Sequence, residues 1–125
     1  MKLFTVDEAN SLLSSVRPIV RSIQKFHRRL ISYQTAANNA AQGAENGGGG
    51  MDQGARYAGL LVELSTKAGE LESLGIQLKD YHQGLIDFPS MREGRVVLLC
   101  WKADEGDRLE WWHDVESGFA GRQPL

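Results

Sequence analysis

The amino-acid sequence predicts an α+β fold in which a long antiparallel two-helix hairpin packs with a small antiparallel β-sheet and a short C-terminal helix. Two observations predict this class. Apolar residues recur every three or four positions through most of residues 5–75, as in amphipathic helices, whereas residues 76–101 hold short apolar or alternating segments typical of strands. The length of 125 residues fits a single domain, 1–125, with the hairpin first and the sheet, short helix and tail in residues 76–125.

The first helix is predicted to begin at a capping box. The side chains of Thr5 and Glu8 can each accept a hydrogen bond from the other residue's backbone N–H. An apolar stripe then runs from Ala9 to Leu30. Pro18 lies inside this stripe without changing its phase, which predicts one helix kinked just before the proline rather than two separate helices.

A glycine-rich linker follows the first helix. Residues 35–55 are rich in Ala, Asn, Gln and Gly, and the four successive glycines at 47–50 predict a flexible loop. The sequence leaves open whether residues 36–42 continue the first helix or belong to this loop. A phosphate-binding loop is not supported, because no Gly-Lys-Ser/Thr follows the glycines. The second helix is predicted from about Gln53 to Ser73.

The remainder of the chain changes from a helical to a strand-like pattern. Three strands are predicted, then a short helix that carries Leu109, Trp112 and Val115 on one side. The predicted strands are residues 75–79, 85–88 and 95–101, with a turn over 89–94, and the predicted helix covers 107–116.

Charge is divided unevenly along the chain. The total is 14 basic and 16 acidic residues, but residues 1–34 hold six basic and two acidic ones, a local net charge of +4. The other 91 residues therefore carry a net −6. This predicts that the basic helix faces acidic groups, and the acidic total argues against a dedicated nucleic-acid-binding protein.

No targeting or membrane segment is expected. The chain has no stretch of about 18 apolar residues and its first residues lack the apolar run of a signal peptide. Cys100 is alone and cannot form an internal disulfide. These features predict a cytoplasmic protein.

Short motifs in the C-terminal half, together with the start of the first helix at Phe4 to Ala9, resemble the bacterial DUF2203 family. The motifs are Lys79-Asp80, Gly84 to Pro89, Gly94-Arg95, Leu99-Cys100-Trp101, Trp112-His113 and Gly118 to Pro124, in this order. The resemblance implies a small prokaryotic cytosolic protein and implies no activity, substrate or cofactor.

Charged residues in the same region predict a site or a structural clasp. Asp87 lies at a predicted strand end, and Arg122 lies in a glycine-rich tail that can approach other backbone closely. We expect Arg122 to pair with Asp87 or Asp80 and to hold the tail in place. In a functional alternative, Arg122 binds an anion while Asp87 and His113 perform acid–base chemistry.

A metal site is a second hypothesis for these residues. Glu110, His113 and Glu116 are spaced by three and would lie near one face of the predicted short helix. A divalent metal could be held by Asp87, His113 and Glu116, or with Asp80 as the third ligand, and such nitrogen and oxygen ligands suit zinc, manganese or iron.

Three further residues have mainly structural interpretations. Cys100 lies in an apolar strand, where a thiol behaves as a small buried hydrophobe rather than a nucleophile. Trp111 and Trp112 would point about 100° apart on a helix, so that one of them reaches a protein interface, unless both belong to one broad core face.

Two functions remain open from the sequence. The first is a non-enzymatic, homodimeric interaction or scaffold module, because a long hairpin cannot bury all of its apolar surface on a small sheet. The second is a metal- or anion-binding protein, with hydrolysis as an optional activity, that uses a pocket formed by Asp80, Asp87, His113, Glu116 and Arg122.

Overall fold

A computed structural model of the protein describes residues 1–43 and 50–125. Two long helices, a five-stranded antiparallel sheet and a short C-terminal 3-10 turn confirm the predicted α+β class. The elements in chain order are α1 (Val6–Gly43), α2 (Gly50–Ser73), β1 (Gln77–Asp80), β2 (Leu85–Arg92), β3 (Arg95–Lys102), β4 (Trp111–Asp114), the 3-10 turn (Phe119–Gly121) and β5 (Gln123–Pro124).

Helix α1 begins at the predicted capping box. The Thr5 backbone N–H donates to Glu8 Oε1 (3.0 Å), and the Glu8 N–H donates to Thr5 Oγ1 (3.1 Å). The hydrogen bond from the Thr5 backbone contributes most to lowering the pKa of the Glu8 carboxyl, and the Thr5 side chain lowers it further. The helix continues through Pro18 as one element, as the unbroken apolar phase predicted.

The two helices form an antiparallel hairpin. At one end, a Cβ placed on Gly75 would come within 2.9 Å of the Lys2 Cβ, so the start of α1 lies beside the end of α2. Farther along, Gln34 Nε2 donates to the Tyr57 hydroxyl (3.0 Å). Neither helix in the described part of the chain is long and apolar enough to cross a membrane.

The linker predicted at residues 35–55 is largely helical where the structure describes it. Helix α1 extends to Gly43 and α2 begins at Gly50. Alanine-rich sequence such as residues 36–41 has a high helix propensity, which the prediction of a loop underestimated. Residues 44–49, the centre of the predicted loop, lie outside the described residues.

The sheet is a meander in which every strand pairs with its neighbour in sequence, in the order β1-β2-β3-β4-β5. Glu93 and Gly94 connect β2 to β3, and both have positive φ (49° and 78°), as a two-residue type I′ turn requires. The predicted turn at 89–94 is therefore too long, since β2 continues to Arg92.

Pro89 is accommodated inside β2 because of its register. It lies opposite Leu98 of β3. Counting outward from the turn, opposite residues of the two strands alternate between pairs that share backbone hydrogen bonds and pairs that do not. Pro89 falls at a non-bonded pair, so its missing N–H removes no bond to β3. Its carbonyl accepts a hydrogen bond from the Phe4 N–H (2.7 Å), which attaches the N-terminus to the sheet.

Residues 107–116 do not form the predicted helix. Residues 111–114 form strand β4 instead, in which Trp112 lies opposite Leu99 and His113 opposite Leu98. The prediction rested on three apolar residues at a spacing of three, which is a weak signal, and the edge of β3 offers this β-favouring segment a partner. Glu110, His113 and Glu116 consequently do not share a helix face.

The main core lies between the helices and one face of the sheet. The buried residues on this side are Phe4, Ala9, Leu13, Val16, Val20, Ile23, Leu71, Ile76, Ile86, Phe88, Val97, Leu99, Trp101, Ala103, Leu109 and Trp112. Side chains alternate along a strand, so the intervening residues occupy the opposite face, here called the second face of the sheet. Asp87, Leu98, Cys100 and His113 lie on it, and all four are buried.

The predicted contact between basic helix and acidic body occurs at Arg17. Its guanidinium forms an ion pair with Asp107 (3.0 Å), donates to the Gly106 carbonyl (3.0 Å) and lies over the Trp101 ring. The Trp101 indole N–H donates to the same carbonyl (2.9 Å). One residue of the basic stripe therefore attaches α1 to the loop that follows β3.

Candidate functional site

The second face of the sheet holds a compact cluster of three polar side chains on three adjacent strands. Asp87 of β2 lies directly opposite Cys100 of β3, and His113 of β4 lies opposite Leu98, two residues from Cys100. The three side chains are at most 3% exposed. A carboxylate oxygen, the thiol sulfur and an imidazole nitrogen all lie within 4.8 Å of one another.

The imidazole of His113 is held by two acceptors. Nδ1 lies 2.8 Å from the Asp114 backbone carbonyl, which can only accept, so Nδ1 carries the hydrogen of that bond. Nε2 lies 3.2 Å from Oδ1 of Asp87 and 3.2 Å from Oδ2. The ring therefore presents Nε2 evenly to both oxygens of a buried carboxylate.

The Cys100 thiol is held in its protonated form. Burial, and next the charge of Asp87, raise its pKa to about 12, and the positive charge of Arg122 opposes this only in part. The predicted burial of Cys100 is confirmed, but its sulfur lies among polar groups rather than in the apolar setting that the sequence suggested.

The cluster does not have the geometry of a nucleophilic triad. In such triads one imidazole nitrogen faces the nucleophile and the other faces the carboxylate. Here Nδ1 of His113 is occupied by a backbone carbonyl and Nε2 faces Asp87. A thiol with a raised pKa in a buried position is also a poor nucleophile.

Arg122 pairs with Glu105, rather than with Asp87 or Asp80 as predicted. The two side chains make a bidentate pair, Nη2–Oε1 2.6 Å and Nη1–Oε2 2.9 Å, and Nη2 also approaches the Cys100 carbonyl (3.3 Å). The predicted clasp is therefore present, but Glu105 is the acidic partner, because the loop after β3 brings it to the tail. The Lys102 N–H also donates to the Glu105 carboxylate (2.7 Å).

The Glu105–Arg122 pair is electrostatically favourable in spite of its burial. Burial alone raises the pKa of Glu105, but the hydrogen bonds from Arg122 and from the Lys102 backbone outweigh it and the pKa is lowered. Burial likewise lowers the pKa of Arg122, and the bond to Glu105 reverses this, so that the pKa is raised. Both groups are therefore charged.

Asp80 and Glu116 lie away from the polar cluster. Asp80 Oδ1 accepts from the backbone N–H groups of His82 (2.8 Å) and Gln83 (2.9 Å), which orders the turn between β1 and β2. Glu116 is exposed in the turn after β4. The structure thus brings together Asp87 and His113 of the predicted pocket, and Arg122 lies beside Cys100.

The two adjacent tryptophans have different environments. Trp112 is 6% exposed in the main core, beneath the guanidinium of Arg92, so it is the core member of the pair and is not available to an interface. Trp111 points to the second face, half-buried, and Arg122 lies over its ring at 5.2 Å. Successive side chains of a strand point to opposite faces of the sheet, and this separates the two rings. The predicted helix would instead have placed them about 100° apart.

Sequence reasoning missed the roles of Cys100 and Glu105. A signal for Cys100 was present: with Glu93 and Gly94 as the two turn residues, counting outward pairs Asp87 with Cys100. No comparable local signal marks Glu105, because its partner lies 17 residues away in the tail.

Comparison with known proteins identifies a family without a described activity. A family model described as "Uncharacterized conserved protein (DUF2203)" matches residues 2–125, essentially the whole chain. No curated protein and no solved structure matches the chain significantly.

Proposed function

This chain belongs to the DUF2203 family, and because that membership brings no activity with it, we propose from its own surface that the protein is a homodimeric interaction module assembled through the outer face of α2. The observation that carries the proposal is a continuous, exposed and uncharged surface along most of that helix.

The outer half of the hairpin has little of its own to pack against. On α1 none of residues 31–39, which follow the buried Leu30, is buried. On α2 none of residues 54–70 is buried, and Tyr57, Leu60 and Leu64 are only half-buried. Two helices without a third layer are rarely stable by themselves, which favours a partner at this end.

The outer face of α2 is uncharged over four turns. Its largest apolar side chains are Leu61, 44% exposed, and Val62, 65% exposed. The exposed residues of this face are Gly54, Ala55, Ala58, Gly59, Leu61, Val62, Ser65, Thr66 and Gly69. Most are small, so another backbone can approach closely, and a Cβ placed on Gly54, Gly59 or Gly69 would meet nothing within 4 Å.

A second copy of the chain is the occupant that this surface suits. A two-fold interface pairs a surface with itself, so like charges would be brought together wherever that surface carries charges of a single sign. The outer face of α2 avoids that repulsion. The exposed basic stripe of α1, which includes Arg21, Lys25 and Arg28, does not.

The test is the oligomeric state of two matched variants. Val62→Lys places a charge at the centre of the outer face, and we expect it to convert a dimer into a monomer in light scattering after gel filtration. Glu63→Lys introduces the same side chain one residue away, on the charged side of α2, and should remain dimeric. A wild-type monomer at micromolar concentration, or dimers of both variants, would overturn the proposal.

The alternative with a hydrolytic pocket has less support. Asp80 is engaged in the turn between β1 and β2, Glu116 is exposed in a separate turn, and the polar cluster on the second face is buried rather than open to a substrate. An interaction module requires no open pocket.

A further inference from the structure

We propose that Asp87, Cys100 and His113 form a buried binding site for one divalent transition metal of the zinc class. The site is independent of the proposed dimer, because none of the three residues lies on α2. It differs from the metal site expected from the sequence, since Cys100 takes the position that Glu116 was expected to fill.

The spacing of the three donor atoms suits a tetrahedral ion. Zinc bonds of about 2.0–2.3 Å at tetrahedral angles place a nitrogen and an oxygen ligand about 3.4 Å apart, and nitrogen and sulfur about 3.6 Å apart. Nε2 of His113 lies 3.2 Å from the Asp87 oxygen, and all three donors lie within 4.8 Å of one another. Closing on an ion therefore requires side-chain shifts of about an ångström.

The orientation of His113 is the second observation that points to a cation. Metal-binding histidines usually donate their other ring N–H to a carbonyl or carboxylate, which fixes the tautomer that leaves the ligating nitrogen free. His113 has this arrangement, because Nδ1 bonds to the Asp114 carbonyl at 2.8 Å. Nε2 then faces an acceptor, and only a proton or a metal ion between Nε2 and Asp87 makes that contact favourable.

The charges of the site balance when a dication is bound. Binding releases the thiol proton of Cys100 to solvent, and the thiolate and the Asp87 carboxylate together supply two negative charges. Arg122 lies near Cys100, but its charge is neutralised by the bidentate pair with Glu105. No uncompensated charge is then left buried, which removes the usual cost of ions in a protein interior.

The donor types select the metal. A thiolate and an imidazole favour zinc, cobalt and related ions over magnesium and calcium, which prefer oxygen ligands alone. Three protein ligands leave one position for water or another small ligand. Because the ligands come from β2, β3 and β4, the bound ion would tie three strands together and raise the stability of the sheet.

The experiment is cobalt and zinc loading of the full-length protein without an affinity tag. The ligands are buried, so metal is added during refolding and excess is removed by gel filtration. We expect about one metal ion per chain by elemental analysis. The cobalt form should show visible bands of a tetrahedral ion and the near-ultraviolet charge-transfer band that only a thiolate ligand produces.

Matched variants decide whether these three residues bind the ion. Cys100→Ser should lose the charge-transfer band, whereas Glu116→Gln should retain both the band and the bound metal. Circular dichroism establishes that each variant is folded. If Cys100→Ser fails to fold, the wild-type protein is sufficient, because zinc should raise its melting temperature. Refolded wild type without bound metal, or a band that persists in Cys100→Ser, would overturn the proposal and leave Asp87–His113 as a proton-bridged pair.

Discussion

His113 Nε2 lies 3.2 Å from the carboxylate of Asp87, with both side chains at most 3% exposed. The two residues come from β2 and β4, which are not neighbours in the sheet, and their contact passes beside Cys100 on the strand between them. One polar contact therefore connects β2 to β4 across β3 on the second face of the sheet.

Removing one partner of this contact should be costly. His113→Ala leaves the Asp87 carboxylate buried without its partner, and we expect a loss of about 3–5 kcal/mol in the free energy of unfolding, measured by urea denaturation in the presence of a chelator. The double variant Asp87→Leu/His113→Leu should lose much less, because neither buried polar group then remains without a partner. His82→Ala changes an exposed histidine and serves as the control. A loss below about 1 kcal/mol in His113→Ala would contradict a buried charged contact.

The Glu105–Arg122 pair should make stability depend on pH. The pKa of Glu105 is lowered in the folded state, so its contribution is present above its unfolded value near 4.5 and is lost as the pH falls through the folded value. We expect Glu105→Gln to cost about 1.5–3 kcal/mol at pH 7, and the difference from wild type to shrink below pH 4.5.

Chemical denaturation at a series of pH values measures this difference. Glu110→Gln, at an exposed position in the same region, should show no such dependence. An equal loss in Glu105→Gln at pH 3 and pH 7 would show that the side chain acts through packing alone.

The thiol of Cys100 should be almost unreactive in the folded protein. With a pKa of about 12, only about one thiol in ten thousand is a thiolate at pH 8, and the sulfur is also buried. We expect an aromatic disulfide reagent to label the native protein many times more slowly than the protein in urea. The experiment is done with chelator present, so that bound metal does not protect the thiol. Fast labelling under native conditions would contradict the burial of Cys100.

Gly84 should tolerate no side chain. It has φ of 65°, and an added Cβ would lie 2.7 Å from Val20 Cγ1 and 2.9 Å from the Ala103 Cβ. Gly94 has a similar φ of 78° and nothing within 4 Å of such a Cβ, so Gly94→Ala measures the backbone strain alone, about 1–2 kcal/mol. Gly84→Ala should cost about 1–3 kcal/mol more than Gly94→Ala, because the clash with Val20 is added. Equal melting temperatures of the two variants would refute the clash.

The helical half of the fold was predictable because its signals are local. The capping bonds of Thr5 and Glu8 join residues three apart, and the apolar stripe of α1 repeats within each turn. Strand β4 was not predictable in the same way. Its conformation depends on pairing with β3, and the short run around Trp112 satisfies a helical spacing as well as a strand alternation.

The candidate site was predictable only in part for a similar reason. Asp87 and His113 were identified as individual residues, but their meeting depends on strand register. Cys100 was taken as a purely apolar residue, because its neighbours in sequence point to the other face of the sheet. The partner of Arg122 was missed because the loop carrying Glu105 has no regular pattern from which its path can be inferred.

The meander order of the sheet has a consequence for how the chain folds. Each strand needs only the next one in sequence, so the sheet can form by successive hairpins, and every loop closure on the way is short. The contact of Phe4 with Pro89 is different, because it closes a loop of most of the chain. Since such distant contacts carry the larger entropic cost, we expect the sheet to assemble first and the attachment of the N-terminus to limit the folding rate.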